Sequence, residues 1–63
     1  MSFVSYLTQT RLRHAVELLD TTEDKGYIIA EKVGYTEANY FSYVFKKEYG
    51  VSPSKYRVNK EKN

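Results

Sequence analysis

The most informative absence in this sequence is cysteine. Without a thiol, the chain has neither a disulfide framework nor a thiolate metal site. Its one histidine, His14, cannot form a metal site alone. The longest apolar runs are three or four residues, far short of the roughly 20 that span a bilayer. Arg11 and Arg13 interrupt the region in which a signal peptide would need its apolar stretch. We therefore expect a soluble, cytoplasmic protein with no metal, no other cofactor and no membrane partner.

The chain is also short, and its charge is unevenly distributed. A domain of 63 residues buries only about 60% of the surface that its unfolded chain exposes. Residues 1–41 carry four basic and six acidic side chains, whereas residues 42–63 carry six basic and two acidic ones. Such an asymmetry suggests that the basic half meets a polyanion. A solvated, lysine-rich end of an ordinary domain is the alternative explanation.

A long first helix is predicted over residues 3–20. At about 100° per residue, its apolar side chains spread over roughly 220°, about twice the stripe of a one-sided surface helix. They are Phe3, Val4, Leu7, Leu12, Ala15, Val16, Leu18 and Leu19. Arg11 falls inside this arc. We expect it to pack its stem there and to reach a carboxylate or helix-end carbonyls, which is a structural role.

Two further helices are predicted in the centre of the chain. The first covers about residues 25–33, with Asp24 as its N-cap and Ile29, Ala30 and Val33 as its buried face. Gly34 follows, where a helix end favours a left-handed residue. The next helix covers residues 37–48, with Thr36 as its N-cap and Glu37 in its first turn. Its predicted inner face is Phe41, Val44, Phe45 and Tyr49, and Gly50 ends it.

The last predicted element is a short helix opened by Ser52 as N-cap and Pro53 at the first helical position. It returns Tyr56 towards the core. Residues 58–63 show no apolar periodicity, so we expect a disordered basic tail. The predicted fold is therefore a small all-α domain over residues 1–57: a long N-terminal helix, a helical hairpin and a short C-terminal helix.

The central hairpin has the outline of a helix-turn-helix, because a short helix, a Gly34-Tyr35-Thr36 turn and a longer helix follow one another. Gly34 supplies the positive φ that such a turn needs, and Tyr35 is the apolar residue that would fix the angle between the helices. In this geometry the second helix enters the major groove and the first crosses the DNA backbone. Many helical hairpins share this bare outline.

The wider sequence pattern closely resembles the AraC/XylS family. The resemblance covers residues 3–57 and is carried by many fixed spacings, namely Tyr6-Leu7-x-x-x-Arg11-Leu12-x-x-Ala15-x-x-Leu18-Leu19, Ile29-Ala30-x-x-Val33-Gly34-Tyr35, and Asn39-Tyr40-Phe41-Ser42-x-x-Phe45-Lys46-Lys47-x-x-Gly50-Val51-Ser52-Pro53-x-x-Tyr56-Arg57. The sequence differs from the family pattern at Gly26, where an apolar residue is usual, and at Ile28, where an acidic residue is common. Both differences bear on the packing of the second helix.

The resemblance implies a bacterial transcription regulator whose family members carry two helix-turn-helix units joined by a linker helix. By this resemblance, we expect the sequence to comprise the linker helix and the second unit. The implied partners are double-stranded DNA and either the first helix-turn-helix or a second copy of the chain. RNA polymerase is a further implied partner of the full regulator.

Periodicity and resemblance together indicate which residues meet DNA. The base-reading positions implied by the resemblance are Ala38, Asn39, Ser42 and Tyr43. Asparagine can pair bidentately with adenine, and Ala38 offers a methyl group to thymine. Candidate phosphate contacts are the backbone near Thr36 and the side chains of Lys46, Lys47, Lys55 and Arg57. Alternatively, these are merely exposed helix residues.

An enzyme is not expected, since His14 has no nucleophile or acid pair placed as a triad and no glycine-rich phosphate loop is present. We expect His14 to be an exposed or half-buried helix residue. The main alternative to DNA binding is a protein-interaction or oligomerisation fragment that acts through the apolar linker helix. Binding to DNA would depend steeply on salt, whereas pairing with a protein would not.

Overall fold

The long first helix, α1, buries part of the apolar arc that its sequence predicts, and Leu7 of that arc remains exposed. The computed structural model describes residues 3–61, and the side chains of residues 5–60. Helix α1 covers Phe3–Thr21. Leu12, Ala15 and Leu19 recur at helical spacing and are buried. The helix is long enough to span a bilayer but not apolar enough, and no other helix of the described residues qualifies.

Helix α2 covers Gly26–Lys32 and begins one residue later than predicted. Its N-cap is Lys25, and no side chain caps it. The expectation that Asp24 caps α2 is wrong, because the Asp24 carboxylate lies 2.6 Å from Lys32 Nζ at the other end of the helix. Ile29, Ala30 and Val33 form the buried face as predicted.

Helix α3 covers Ala38–Tyr49, so it begins and ends one residue later than predicted. Its N-cap is Glu37, which makes no side-chain capping bond, so Thr36 lies outside the helix and does not cap it. Gly50 has φ +83° and donates its N–H to the Lys46 carbonyl, which ends the helix as predicted. Phe41 and Phe45 are fully buried, but Tyr49 remains 40% exposed and lies only at the edge of the predicted inner face.

The core lies where α2, α3 and the second half of α1 meet. Among the residues with described side chains, nine hydrophobic ones are buried there, namely Leu12, Ala15, Leu19, Ile29, Ala30, Val33, Tyr35, Phe41 and Phe45. The Phe45 ring also contacts the Tyr56 ring edge-on, with centroids 5.9 Å apart. The predicted return of the C-terminal helix to the core is therefore confirmed.

Helix α4 covers Pro53–Glu61 and starts as predicted, because Ser52 Oγ accepts the Lys55 N–H at 3.2 Å and Pro53 occupies the first helical position. The expected disorder of residues 58–63 is wrong for 58–61, which continue the helix; residues 62 and 63 lie outside the described part. Contacts with α1 hold this extension. Lys60 Nζ lies 2.8 Å from the Asp20 carboxylate, and this hydrogen bond raises the pKa of Lys60.

Candidate nucleic-acid interface

Tyr35 packs between α2 and α3. It follows Gly34, whose φ of +102° turns the chain after α2, and its N–H donates to the Ala30 carbonyl at 2.8 Å. The Tyr35 side chain is only 9% exposed, and its ring centroid lies 5.5 Å from that of Phe41. The predicted role of Tyr35 between the two helices is thus confirmed, and α3 is held by its buried face.

Arg11 connects α1 to this turn. Its guanidinium carbon lies 5.4 Å from the centroid of the Tyr35 ring, which is cation–π geometry. A Cβ added at Gly34 would lie 3.3 Å from the same guanidinium, so the group also rests against the Gly34 backbone. The predicted structural role of Arg11 is confirmed. Its partner, however, is an aromatic ring rather than the expected carboxylate or helix end.

The outward face of α3 carries the residues that the sequence places at the DNA. Since Phe41 and Phe45 point into the core, helical periodicity directs Asn39, Tyr43 and Lys46 to the opposite side. All three are exposed, and Tyr43 keeps 62% of its surface in contact with solvent. Two other predicted base-reading residues, Ala38 and Ser42, are half-buried at the flank of this face. The arrangement brings the predicted base-reading residues onto two adjoining turns.

The N-terminus of α3 is open to an anion. The first N–H groups of a helix have no intrahelical acceptor, and no side chain caps these ones. The helix has no acidic residue in its first turn, although the exposed Glu37 carboxylate lies next to it at the N-cap. The backbone donors and the helix dipole therefore favour binding of a phosphate here. The Glu37 carboxylate opposes it when its side chain points towards the phosphate.

All the predicted phosphate-binding residues except Arg57 are exposed. Lys46, Lys47 and Lys55 are exposed, as is Thr36. Lys47 also lines a cleft of about 380 Å³ between α3 and the first half of α1, with Thr8, Gln9, Tyr40 and Tyr43 among the other lining residues. These exposed groups remain available to a ligand.

Arg57 belongs to a different place, and its expected phosphate role needs correction. It is half-buried, and its guanidinium donates to the carbonyls of Asp24 at 2.6 Å, Thr22 at 2.9 Å and Leu19 at 3.4 Å. These acceptors lie at the end of α1 and in the link to α2. Arg57 thus ties α4 to α1, a function that charge alone does not reveal because arginine suits both roles.

Tyr40 is a member of this surface that the sequence reasoning did not place there. Its ring lies between two others, with centroids 6.0 Å from Tyr35 and 6.4 Å from Tyr43. The contact between Tyr40 and Tyr43 could have been predicted from the sequence, because residues three apart on a helix are neighbours. The contact between Tyr40 and Tyr35 depends on the conformation of the turn and could not.

Groups of three or more metal-ligating side chains do not occur in the part of the chain that the structure describes. His14 is exposed on α1, as expected. The outward face of α3 offers the Asn39 amide, the Tyr43 ring and the Lys46 ammonium group.

Comparison with known proteins gives a consistent set of relatives. The sequence matches the family described as helix-turn-helix domain over residues 1–59. It is 46% identical over 57 residues to the HTH-type transcriptional activator RhaR of Yersinia pseudotuberculosis, covering 90% of this chain and 20% of RhaR. It is 44% identical over 52 residues to YisR, an uncharacterized HTH-type transcriptional regulator of Bacillus subtilis, covering 82% of this chain and 18% of YisR. The chain thus spans about a fifth of the length of these curated relatives.

A solved structure agrees with the fold. The C-terminal domain of the two-component response regulator yesN from Fusobacterium nucleatum superposes with a TM-score of 0.89 at 49% sequence identity. The match covers 90% of this chain and 55% of that one.

Proposed function

Because the chain belongs to the AraC-type helix-turn-helix domain family, we propose that it binds double-stranded DNA sequence-specifically as part of a bacterial transcription regulator. One observation supports this most: α3 is anchored by Phe41 and Phe45 and presents an exposed face of Asn39, Tyr43 and Lys46. The major groove, about 12 Å wide, admits one helix. A rigid helix of this kind can place side chains against base edges without losing much conformational freedom on binding.

In the proposed complex, α3 lies in the major groove. Asn39 pairs with an adenine, while Ala38, Ser42 and Tyr43 contact neighbouring bases. Phosphates bind at the open N-terminus of α3 near Thr36 and at the exposed side chains of Lys46, Lys47 and Lys55. Arg57 is left out, because its donors are used within the domain.

The proposal extends to the parent regulator, of which this chain represents a fraction. By the family pattern, a first helix-turn-helix or a second copy of the chain would occupy the next groove segment. RNA polymerase is a proposed partner of the full regulator, and the bacterial cytoplasm is its proposed location. DNA binding by a single module buries only about 600–1,000 Å² of protein surface, so we expect weak binding by this chain alone.

The test is duplex binding with variants that separate base reading from charge. The chain first enriches a random duplex pool at low salt, and the selected site is then titrated. Asn39→Ala is expected to relax the preference at one base pair by about 1–3 kcal/mol. Lys46→Ala is expected to weaken all sequences alike and to reduce the salt slope by about one.

Lys60→Ala provides the matched control, because Lys60 is an exposed lysine that pairs with Asp20 rather than lying on α3. We expect it to leave the salt slope unchanged. A binding profile that Asn39→Ala leaves unaltered at every base pair would remove Asn39 from the interface. Absence of salt-dependent duplex binding by the unmodified chain would refute the proposed function.

A second candidate function is association with a protein through the first half of α1. Its support is the exposure of Tyr6 at 63% and Leu7 at 37%. Salt-insensitive binding to a protein partner, together with no binding to duplex DNA, would favour this alternative.

A further inference from the structure

The first two turns of α3 carry no charged side chain that could pair with guanine or cytosine. The first two turns, residues 38–45, contain no arginine, which is the usual bidentate partner of guanine, and no carboxylate, which accepts from cytosine N4. One side chain in this stretch, Asn39, can pair with a base by two hydrogen bonds, and its geometric match is adenine. These two turns are therefore chemically biased towards A·T pairs, whereas Lys46, which follows on the same face, can contact a guanine or a phosphate.

Tyr43 adds an apolar surface one turn further along the same face. It lies four residues after Asn39, so the two Cβ atoms are about 5–6 Å apart. Successive base pairs are separated by about 3.4 Å along the duplex axis. Where α3 follows the groove, Cβ atoms with this separation lie over bases about two steps apart.

The Tyr43 ring is supported from the core outwards. Tyr35 packs on the buried Phe41, Tyr40 lies 6.0 Å from Tyr35, and Tyr43 lies 6.4 Å from Tyr40 at an interplanar angle of 33°. A ring held by neighbouring rings loses less rotamer freedom on binding than an isolated one. This ladder of three rings connects the core to the Tyr43 ring, which is 62% exposed on the outward face of α3.

We propose that Tyr43 reads the C5-methyl group of a thymine, so that the preferred site contains an adenine facing Asn39 and a thymine within about two base pairs of it. The inference rests on the proposed DNA binding by α3. Thymine is singled out because, of the four bases, it alone presents a methyl group in the major groove. A ring edge or face provides the apolar contact that such a methyl requires. The alternative role of Tyr43, a hydroxyl contact to a phosphate, is an outcome of the test below.

The decisive measurement replaces thymine by uracil, which removes the methyl and leaves the hydrogen-bonding edge intact. In a duplex enriched by the complete 63-residue chain, each thymine is replaced singly. Burial of one methyl contributes about 0.8 kcal/mol, so one uracil is expected to weaken binding about fourfold. Replacement of the nearby adenine by 7-deazaadenine, which lacks the N7 acceptor, is expected to weaken binding at least about fivefold.

Variants assign the methyl contact to its side chain. Tyr43→Ala is expected to bring the uracil-to-thymine affinity ratio to about one at the sensitive position. Tyr43→Phe, which keeps the ring and loses the hydroxyl, is expected to retain that ratio. Asn39→Ala is also expected to retain it, while losing the sensitivity to 7-deazaadenine. Because Tyr43 is exposed, a thermal melt that Tyr43→Ala leaves unchanged confirms that the variants are folded.

Three results would overturn the inference. Salt-dependent duplex binding with equal affinity for uracil and thymine at every position would do so and would leave the proposed function intact. An enriched site that lacks an adenine and a thymine within about two base pairs of each other would also refute the inference and leave the proposed function intact. A uniform loss of affinity in Tyr43→Phe, with no uracil effect in the unmodified chain, would assign the hydroxyl to a phosphate. Failure to bind any duplex would instead refute the proposed function itself.

Discussion

The two halves of α1 share one apolar pattern but differ in what covers them. In the second half, Leu12, Ala15 and Leu19 are buried by the rest of the domain, and the Leu19 carbonyl accepts hydrogen bonds from Arg57. In the first half, Tyr6 and Leu7 remain exposed. Thr8 and Gln9 are half-buried beside α3, where they line its cleft.

The difference shows what a hydrophobic period can and cannot report. An arc of about 220° indicates that a helix has more than one face to cover. It does not indicate whether the covering element lies in the same domain. Within the described residues, the core reaches the second half of α1 and leaves Tyr6 and Leu7 of the first half exposed.

The largest expected effect comes from truncating the buried half. Leu12→Ala is expected to lower the free energy of unfolding by about 2–5 kcal/mol, because it leaves a cavity at a fully buried position. Leu7→Ala is the matched control on the exposed half, with an expected change within about 0.5 kcal/mol. Urea unfolding followed by circular dichroism measures both. Equal losses for the two variants would contradict the distinction between the halves.

The second test removes the hydrogen bonds from Arg57 to the carbonyls at the C-terminal end of α1 and in the link that follows it. Arg57→Ala is expected to cost about 2–3 kcal/mol of stability, since several carbonyls lose a charged donor. Lys55→Ala, an exposed position on the same helix, is expected to change stability by less than about 0.5 kcal/mol. If Arg57→Ala left stability unchanged and weakened DNA binding, Arg57 would return to the phosphate contacts.

The third test concerns the exposed half. A small domain with Leu7 and Tyr6 in water is expected to self-associate weakly, at about millimolar concentration, where the association free energy is about 4 kcal/mol. Phe3 and Val4 belong to the same predicted apolar arc, but their side chains lie outside the described residues. Sedimentation over a range of concentrations is the measurement, with Leu7→Glu as the variant expected to stay monomeric. A monomer at every concentration would contradict self-association through this half.

The smallest expected effect concerns α2, which covers the buried half of α1. Gly26 is the first residue of α2, and a Cβ added there meets no atom within 4 Å. Gly26→Ala is therefore expected to raise the free energy of unfolding by about 0.5–1 kcal/mol, mainly by restricting the unfolded chain. Thermal unfolding is the measurement. A lower melting temperature would mean that alanine disturbs the start of α2.

The fold was predictable wherever stability depends on local periodicity. The spacing of Leu12, Ala15 and Leu19, and of Phe41 and Phe45, identified the buried faces because each helix exposes one side at a fixed interval. The starts of α2 and α3 were each misplaced by one residue. A capping side chain depends on the backbone of a single residue, so Asp24 and Thr36 suited the position by composition but not by geometry.

Contacts between distant residues account for most of what the sequence did not predict. Residues 58–61 are helical although they lack an apolar period, and the bonds from Arg57 to Leu19 join positions 38 residues apart. The outward position of Asn39 and Tyr43 followed from the period of α3, whereas the role of Tyr40 depends on Tyr35 in the turn. The DNA contacts of these residues remain predictions.

Gly34 has a consequence for how this domain tolerates mutation. Its φ of +102° strains any side chain, and a Cβ there would lie 3.3 Å from the Arg11 guanidinium, a tight contact that requires the guanidinium to shift slightly. The two constraints are independent, since one lies in the backbone and the other in a neighbouring helix. Shortening Arg11 clears the space but leaves the strain, and it also removes the cation from the Tyr35 ring. We therefore expect that no substitution of Arg11 restores the stability lost in Gly34→Ala.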